Sequence, residues 1–96
     1  MDAAGQKRVV FYGAGDVAEI AYVSLQSTDL TLVGVVDDDR TGRFFDVAIC
    51  PLEQLSADTI GTVPYAHVVV TSLRHADTIR ARIEGRGVSP DRVSCL

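Results

Sequence analysis

The change of period between residues 12 and 16 most constrains what this chain can fold into. Arg8-Val9-Val10-Phe11-Tyr12 is a nearly continuous apolar run that stops at Gly13. A run without polar alternation suits a central parallel strand buried on both faces. From Asp16 to about Gln26 the spacing becomes helical. Val17, Ile20, Ala21 and Ser24 follow one stripe, Ala18 and Leu25 lie beside it, and Asp16, Glu19 and Gln26 are left for water.

The same alternation continues along the chain. Thr31 to Val36 is a second strand, ended by Asp37-Asp38-Asp39. Arg40-Thr41-Gly42-Arg43 is a polar turn, and Asp46 to Cys50 is a short third strand stopped by Pro51. Residues 51–55 form one or two helical turns with Pro51 at the favourable first position. Ala66 to Val70 is a fourth strand, and Ser72 caps the helix after it. In that helix His75 or Ala76, Ile79 and Ile83 face inward, while Arg80, Arg82 and Arg86 are solubilising and face out. Gly85 and Gly87 end it, and Arg92 to Leu96 is a fifth strand. Strands alternating with helices imply right-handed crossovers, and hence one α/β domain. The expectation is a three-layer domain over residues 8–96. It has a mostly parallel five-stranded sheet in the order 3-2-1-4-5, with the third strand weakest and helices on both faces.

Composition removes several functional classes. No apolar run approaches the roughly 20 residues of a membrane span. Residues 1–7 contain no apolar stretch of a secretory signal and read as a short flexible leader. A net charge of −4 and a pI near 4.9 argue against direct nucleic-acid binding and against anionic membranes. Cys50 and Cys95 lack metal-ligand spacing. They fit a reducing cytoplasm, as small buried hydrophobes.

The chemistry lies in Gly13-Ala14-Gly15-Asp16-Val17-Ala18, a G-x-G-x-x-A pattern that follows a strand and opens a helix. Gly13 permits the tight turn, Gly15 removes a Cβ where a phosphate would approach, and Ala18 lets the helix pack closely. Helix N–H groups and the dipole favour an anion there. The competing reading is that small residues merely allow turn and packing. Asp16 places a carboxylate at the same helix end, where it either caps the empty helix or turns outward. Asp37, 22 residues after Gly15, is placed to accept ribose hydroxyls, with Asp38 as the alternative. Asp39 reads as part of a solvated turn, and so does the whole run if nothing binds. Acids here disfavour a 2′-phosphate, so NAD(H) is expected over NADP(H). Arg40 and Arg43 are as ready to pair with Asp38, Asp39 or Asp46 as to offset this. Thr71 and Ser72 lie opposite the first turn, where open α/β sheets bind ligands. His75 has no visible catalytic partner and His67 reads as structural. Neither a catalytic constellation nor a metal site is expected.

The segments VVFYGAGDVAEIAY, LVGVVDDD, PLEQL and VVVTSL resemble small Rossmann-like CoA/NAD-binding domains. The likeness is to the N-terminal nucleotide-binding domain of bacterial nucleoside-diphosphate-sugar dehydratase/epimerase proteins. The dinucleotide-binding half of redox-sensing transcriptional repressors is similar in layout. The resemblance implies Gly13, Gly15, Asp16 and Val17 at the phosphate, Asp37 and Asp38 at the ribose, and Thr71 and Ser72 on the far side of the ligand. Three functions are then in play. The first is a regulatory or ligand-sensing domain of a larger protein, binding NAD(H), with CoA or a nucleotide sugar also possible. The second is the cofactor domain of an oxidoreductase or nucleotide-sugar enzyme. The third is a ligand-free dimerisation scaffold, either as a homodimer or with a partner domain outside this chain.

Overall fold

The computed structural model describes residues 8–72 and 75–95; the expected leader 1–7 and Leu96, the last residue of the expected fifth strand, lie outside them. Strand β1 (Arg8–Tyr12) leads into helix α1 (Asp16–Leu25), and β2 (Thr31–Val36) follows. A hairpin of β3 (Gly42–Phe44) and β4 (Val47–Cys50) comes next, then a 3-10 turn at Leu52–Gln54. Strands β5 (Thr59–Ile60) and β6 (Val63–Pro64) precede β7 (His67–Val70). Helix α2 (Ala76–Glu84), a second 3-10 turn at Pro90–Arg92 and β8 (Val93–Cys95) complete the described chain.

The main sheet has six strands in the order β3-β4-β2-β1-β7-β8. Strand β1 is parallel to β2 and β7, β2 is parallel to β4 and β7 to β8, while β3 runs antiparallel to β4. Strands β5 and β6 form a separate antiparallel pair. The expected mostly parallel, five-stranded Rossmann-like domain with helices on both faces is therefore not what forms. The sheet is mixed, a second sheet is present, and only two α-helices occur among the described residues.

Two local causes account for the difference. Gly42–Phe44, read from sequence as a polar turn, pairs back on β4 through the turn Phe45-Asp46. The link from β2 to β4 is thus spent on a hairpin, which leaves too little chain for the helix a parallel crossover ordinarily carries. Between β4 and β7, Pro51, Gly61 and Pro64 interrupt any helix. Gly61 sits at φ 60, and Pro51 is extended just ahead of the 3-10 turn rather than inside it. The helical turns expected over residues 51–55 form as a short 3-10 turn at Leu52–Gln54, and a two-stranded hairpin, not a helix, follows.

Alternate residues of β1 feed two cores. Val10 and Tyr12 pack with Val36, Leu55, Ile60, Tyr65, Val68, Val70, and Ile79 and Ile83 of α2. Val9 and Phe11 pack with Ala18 and Leu25 of α1, Leu32, Val35 and Phe44. Gly34 lets the hairpin close on the first core, since a Cβ there would lie 2.6 Å from Ile60 Cδ1. The β1–β2 register slips between Val9 and Val10, passing over Val33.

Arginines fasten the irregular cover of the first core. The Arg92 guanidinium donates to the carbonyls of Ala57, Tyr65 and Ala66 and to the Asp58 carboxylate, and it lies 5.3 Å from the Tyr65 ring centre. Arg86 donates to the carbonyls of Glu53 and Leu55. Arg86 is thus a clamp, not the free solubilising charge expected from its outward position. Arg80 pairs with Glu84 and also reaches the Pro90 carbonyl.

Three further expectations are corrected. The buried edge of α1 is Ala18 and Leu25, while Ile20, expected to face inward, is 68% exposed. Helix α2 starts at Ala76 with His75 at the N-cap in a left-handed conformation (φ 58), so Ser72 does not cap it. Cys95 is exposed and Cys50 half-buried, so neither is the buried hydrophobe expected. No helix among the described residues is long and apolar enough to cross a membrane.

Candidate functional site

The parallel strands β1, β2 and β7 end together around residues 13–15. The Gly13 N–H donates to the Val36 carbonyl (2.7 Å) and the Thr71 N–H to the Tyr12 carbonyl (3.0 Å). The buried Thr71 hydroxyl lies 3.0 Å from both the Tyr12 and Gly13 carbonyl oxygens and donates between them. Gly13 has φ 114, and a Cβ on it would come within 2.7 Å of Thr71 Oγ1. Backbone and packing both require this glycine.

Gly15 is different. Its φ of −91 suits any residue, and nothing lies within 4 Å of where its Cβ would be. It is the N-cap of α1, and no side chain caps that helix. Internal packing therefore gives no reason for a glycine here, whereas an approaching ligand would. Asp16 on the first turn is exposed and turned outward, and Val17 is half-buried.

The two candidate ribose acids have separate duties. Asp37 Oδ2 accepts the Ala14 N–H (2.9 Å), and its Oδ1 accepts those of Asp39 (2.8 Å) and Arg40 (3.0 Å). Arg40 Nη1 in turn donates to the Ala14 carbonyl (3.1 Å). The loop after β2 thus grips Ala14 at both backbone groups, and Asp37 holds the shape of the glycine turn. Asp38 Oδ2 accepts from the Tyr12 hydroxyl and from Arg82 Nη1, each at 2.9 Å. Burial, reinforced by Asp38, raises the Tyr12 phenol pKa. The Tyr12 hydroxyl and the Asp38 charge hold Arg82 more firmly protonated than usual.

Two clefts flank the turn. One, of about 400 Å³, is lined by Tyr12, Gly13, Asp38, Ser72, His75 and Arg82, and by Asp37 and Asp39 beside them. The other, of about 520 Å³, is lined by Ala14, Glu19, Arg40, Arg43, Phe44 and Phe45. The structure thus brings Gly13, Asp37, Asp38 and Ser72 into one cleft, with Thr71 beneath its floor. Asp16 and Val17 stay at the start of the helix. His67 lies elsewhere, its Nε2 2.6 Å from Ser94 Oγ on the neighbouring strand, as a structural residue would.

Tyr12, Arg82 and Phe45, which line the two clefts, are absent from the sequence-based candidates. Tyr12 ends an apolar run and so reads as core, although its hydroxyl reaches the cleft. Arg82 is exposed, but it follows Ile79 by three residues, and that spacing was the available hint that the two line the same cleft. No group of three or more His, Cys, Asp or Glu side chains among the described residues is placed to hold a metal. A family model described as C2185-like, N-terminal matches residues 5–94, and the chain belongs to that family. No curated protein matches it.

Proposed function

We propose that this C2185-like N-terminal domain is a nucleotide-sensing module, with NAD(H) as the favoured ligand and CoA or a nucleotide sugar as the related alternatives. One observation carries the reading: Gly15 faces open space at a strand–turn–helix junction although neither its φ nor any neighbour asks for a glycine. A phosphate approaching the backbone is what a missing Cβ at this position accommodates. The N–H groups of Asp16 and Val17 at the start of α1 would meet it, aided by the helix dipole.

Asp38 is the acid that would meet a ribose hydroxyl, because Asp37 is committed to three backbone N–H groups. Three consecutive aspartates disfavour a 2′-phosphate: two unit charges 4 Å apart repel by about 4 kcal/mol at an effective dielectric near 20. A hydroxyl arriving at Asp38 competes with Arg82 for the same carboxylate. Binding at the turn would then be felt on α2, as a sensor needs. The free thiols of Cys50 and Cys95 fit a cytoplasmic setting.

Thermal unfolding with NAD+, NADH, NADP+ and CoA is the test. A nucleotide at 100 times its Kd adds about 2.7 kcal/mol to the folded state that binds it. Gly15→Val should abolish that gain while the unliganded melting curve stays in place, because a Cβ at this position has no protein atom within 4 Å. Unchanged ligand stabilisation in the variant would remove the phosphate from this turn.

A further inference from the structure

Phe45 is held in a backbone conformation that its residue type resists. It is the first of the two residues that turn β3 into β4, and its φ is 54. Hairpins favour glycine there, and a bulky residue in that region is strained unless its surroundings over-determine it. Packing supplies part of the reason. The Phe45 ring stacks on Tyr22 of α1 at 4.3 Å and 11°, and meets Phe44 edge-on at 4.8 Å. Yet Phe45 stays 51% exposed, and it lines the cleft of about 520 Å³. Arg40 and Arg43 line that cleft too, and Glu19 is the one acid among the described residues around it. Each guanidinium is steadied by a carbonyl, Arg40 by that of Ala14 (3.1 Å) and Arg43 by that of Asp46 (2.7 Å). A guanidinium fork has more N–H donors than one carbonyl takes up, so both keep donors for an anion. A chain of net charge −4 thus carries a locally positive hollow with an aromatic wall.

We propose that this cleft binds an aryl carboxylate, a flat ring with its anion attached directly to it. The ring lies against Phe45, and the carboxylate is taken by the Arg40 and Arg43 guanidinium groups. Planar guanidinium groups match a carboxylate through paired hydrogen bonds. A ring already fixed against Tyr22 offers stacking area with little ordering left to do. Two cations against one acid leave the wall net positive, which disfavours cationic rings. The volume falls within the range of small-molecule pockets. The site uses neither Gly15 nor the cleft beside Asp38, so it stands whether or not a nucleotide binds at the turn.

Titration of the whole chain with benzoate, followed by the chemical shifts of its backbone amides, tests this. Benzoate should bind with a Kd of about 1 mM or tighter and move the amides of residues 40–46. Benzamide, which lacks the charge, should bind about tenfold more weakly, and cyclohexanecarboxylate, which lacks the flat ring, about threefold more weakly. Arg43→Gln, at an exposed position, should weaken benzoate about tenfold. Phe45→Gly, which suits the turn backbone, should weaken it about fivefold. If Phe45→Gly unfolds the chain, Arg43→Gln decides alone. No saturable shift with benzoate up to about 10 mM would overturn the proposal. So would benzamide binding as tightly as benzoate, or benzoate binding unchanged in Arg43→Gln. Equal weakening of AMP and benzoate by Phe45→Gly would overturn the ligand class and make the cleft a place for a nucleobase.

Discussion

The two faces of the sheet are finished in opposite ways. Around Val10, Val36 and Val68 the core is closed by irregular chain: the 3-10 turn, the β5–β6 hairpin and α2, with Leu55 and Ile83 fully buried. Around Phe11 and Val35 the main cover is α1. Beside that helix lies a hollow of about 340 Å³ with Ile20, Ala21, Leu25, Leu30 and Val69 along its walls. Ile20 and Val23 stand out from the helix at 68% and 66% exposure. Regular secondary structure and good closure are therefore separate properties here. The face covered mainly by a helix is the open one, and the face with the least regular cover is the sealed one.

The largest expected effect tests the sealed face. Leu55 is fully buried although it sits in an irregular segment. Leu55→Ala should cost about 2–5 kcal/mol in denaturant unfolding, as for a leucine in a regular core. A loss below about 1 kcal/mol would mean that this cover closes in on the cavity and is not packed as tightly as it looks.

A smaller effect sharpens the contrast from the open face, where His67 bonds Ser94 across β7 and β8. Burial, and then the Arg92 charge, lower the His67 pKa from 6.5. Below about pH 6.5 the unfolded chain therefore takes up a proton that the folded chain still refuses. The histidine's contribution is complete above that pH and is lost as the pH falls toward the lowered folded value. Wild-type stability should drop between pH 7.5 and 5.5 by more than that of His67→Gln. Parallel profiles would place the titration elsewhere.

The smallest effect is the most direct comparison. Ile20→Ser should change the stability of the isolated chain by no more than about 0.5 kcal/mol, since the side chain already meets water. A loss above 1 kcal/mol would show that α1 relies on it and that the two faces are less different than they look.

The features legible in the sequence are those decided locally. The apolar runs at Arg8–Tyr12 and Thr31–Val36 and the turn into α1 need only period and glycine to be read. Strand β3 was not legible, because Gly42-Arg43-Phe44 becomes a strand only by pairing with β4. The hairpin over Gly34 depends on Ile60 finding a site made by residues far away in sequence. The start of α2 was misread because Ser72 has the chemistry of a cap, whereas the helix opens at His75. At the site, Gly13 and the acids after β2 stood out by type and spacing. The division of labour between Asp37 and Asp38 did not, because it is set by which backbone N–H groups the loop brings within reach.

Arg92 also bears on the order in which this chain is made. It grips the carbonyls of Ala57, Tyr65 and Ala66 from beyond α2, just ahead of β8. During synthesis those oxygens leave the ribosome well before their donor does. Strand β1 waits in the same way, since one of its two neighbours, β7, begins at His67. A nascent chain that has reached α2 thus has the glycine turn and α1 available but not the clamp on its hairpin. The Arg92 clamp on the sealed face is thus made after the carbonyls it holds.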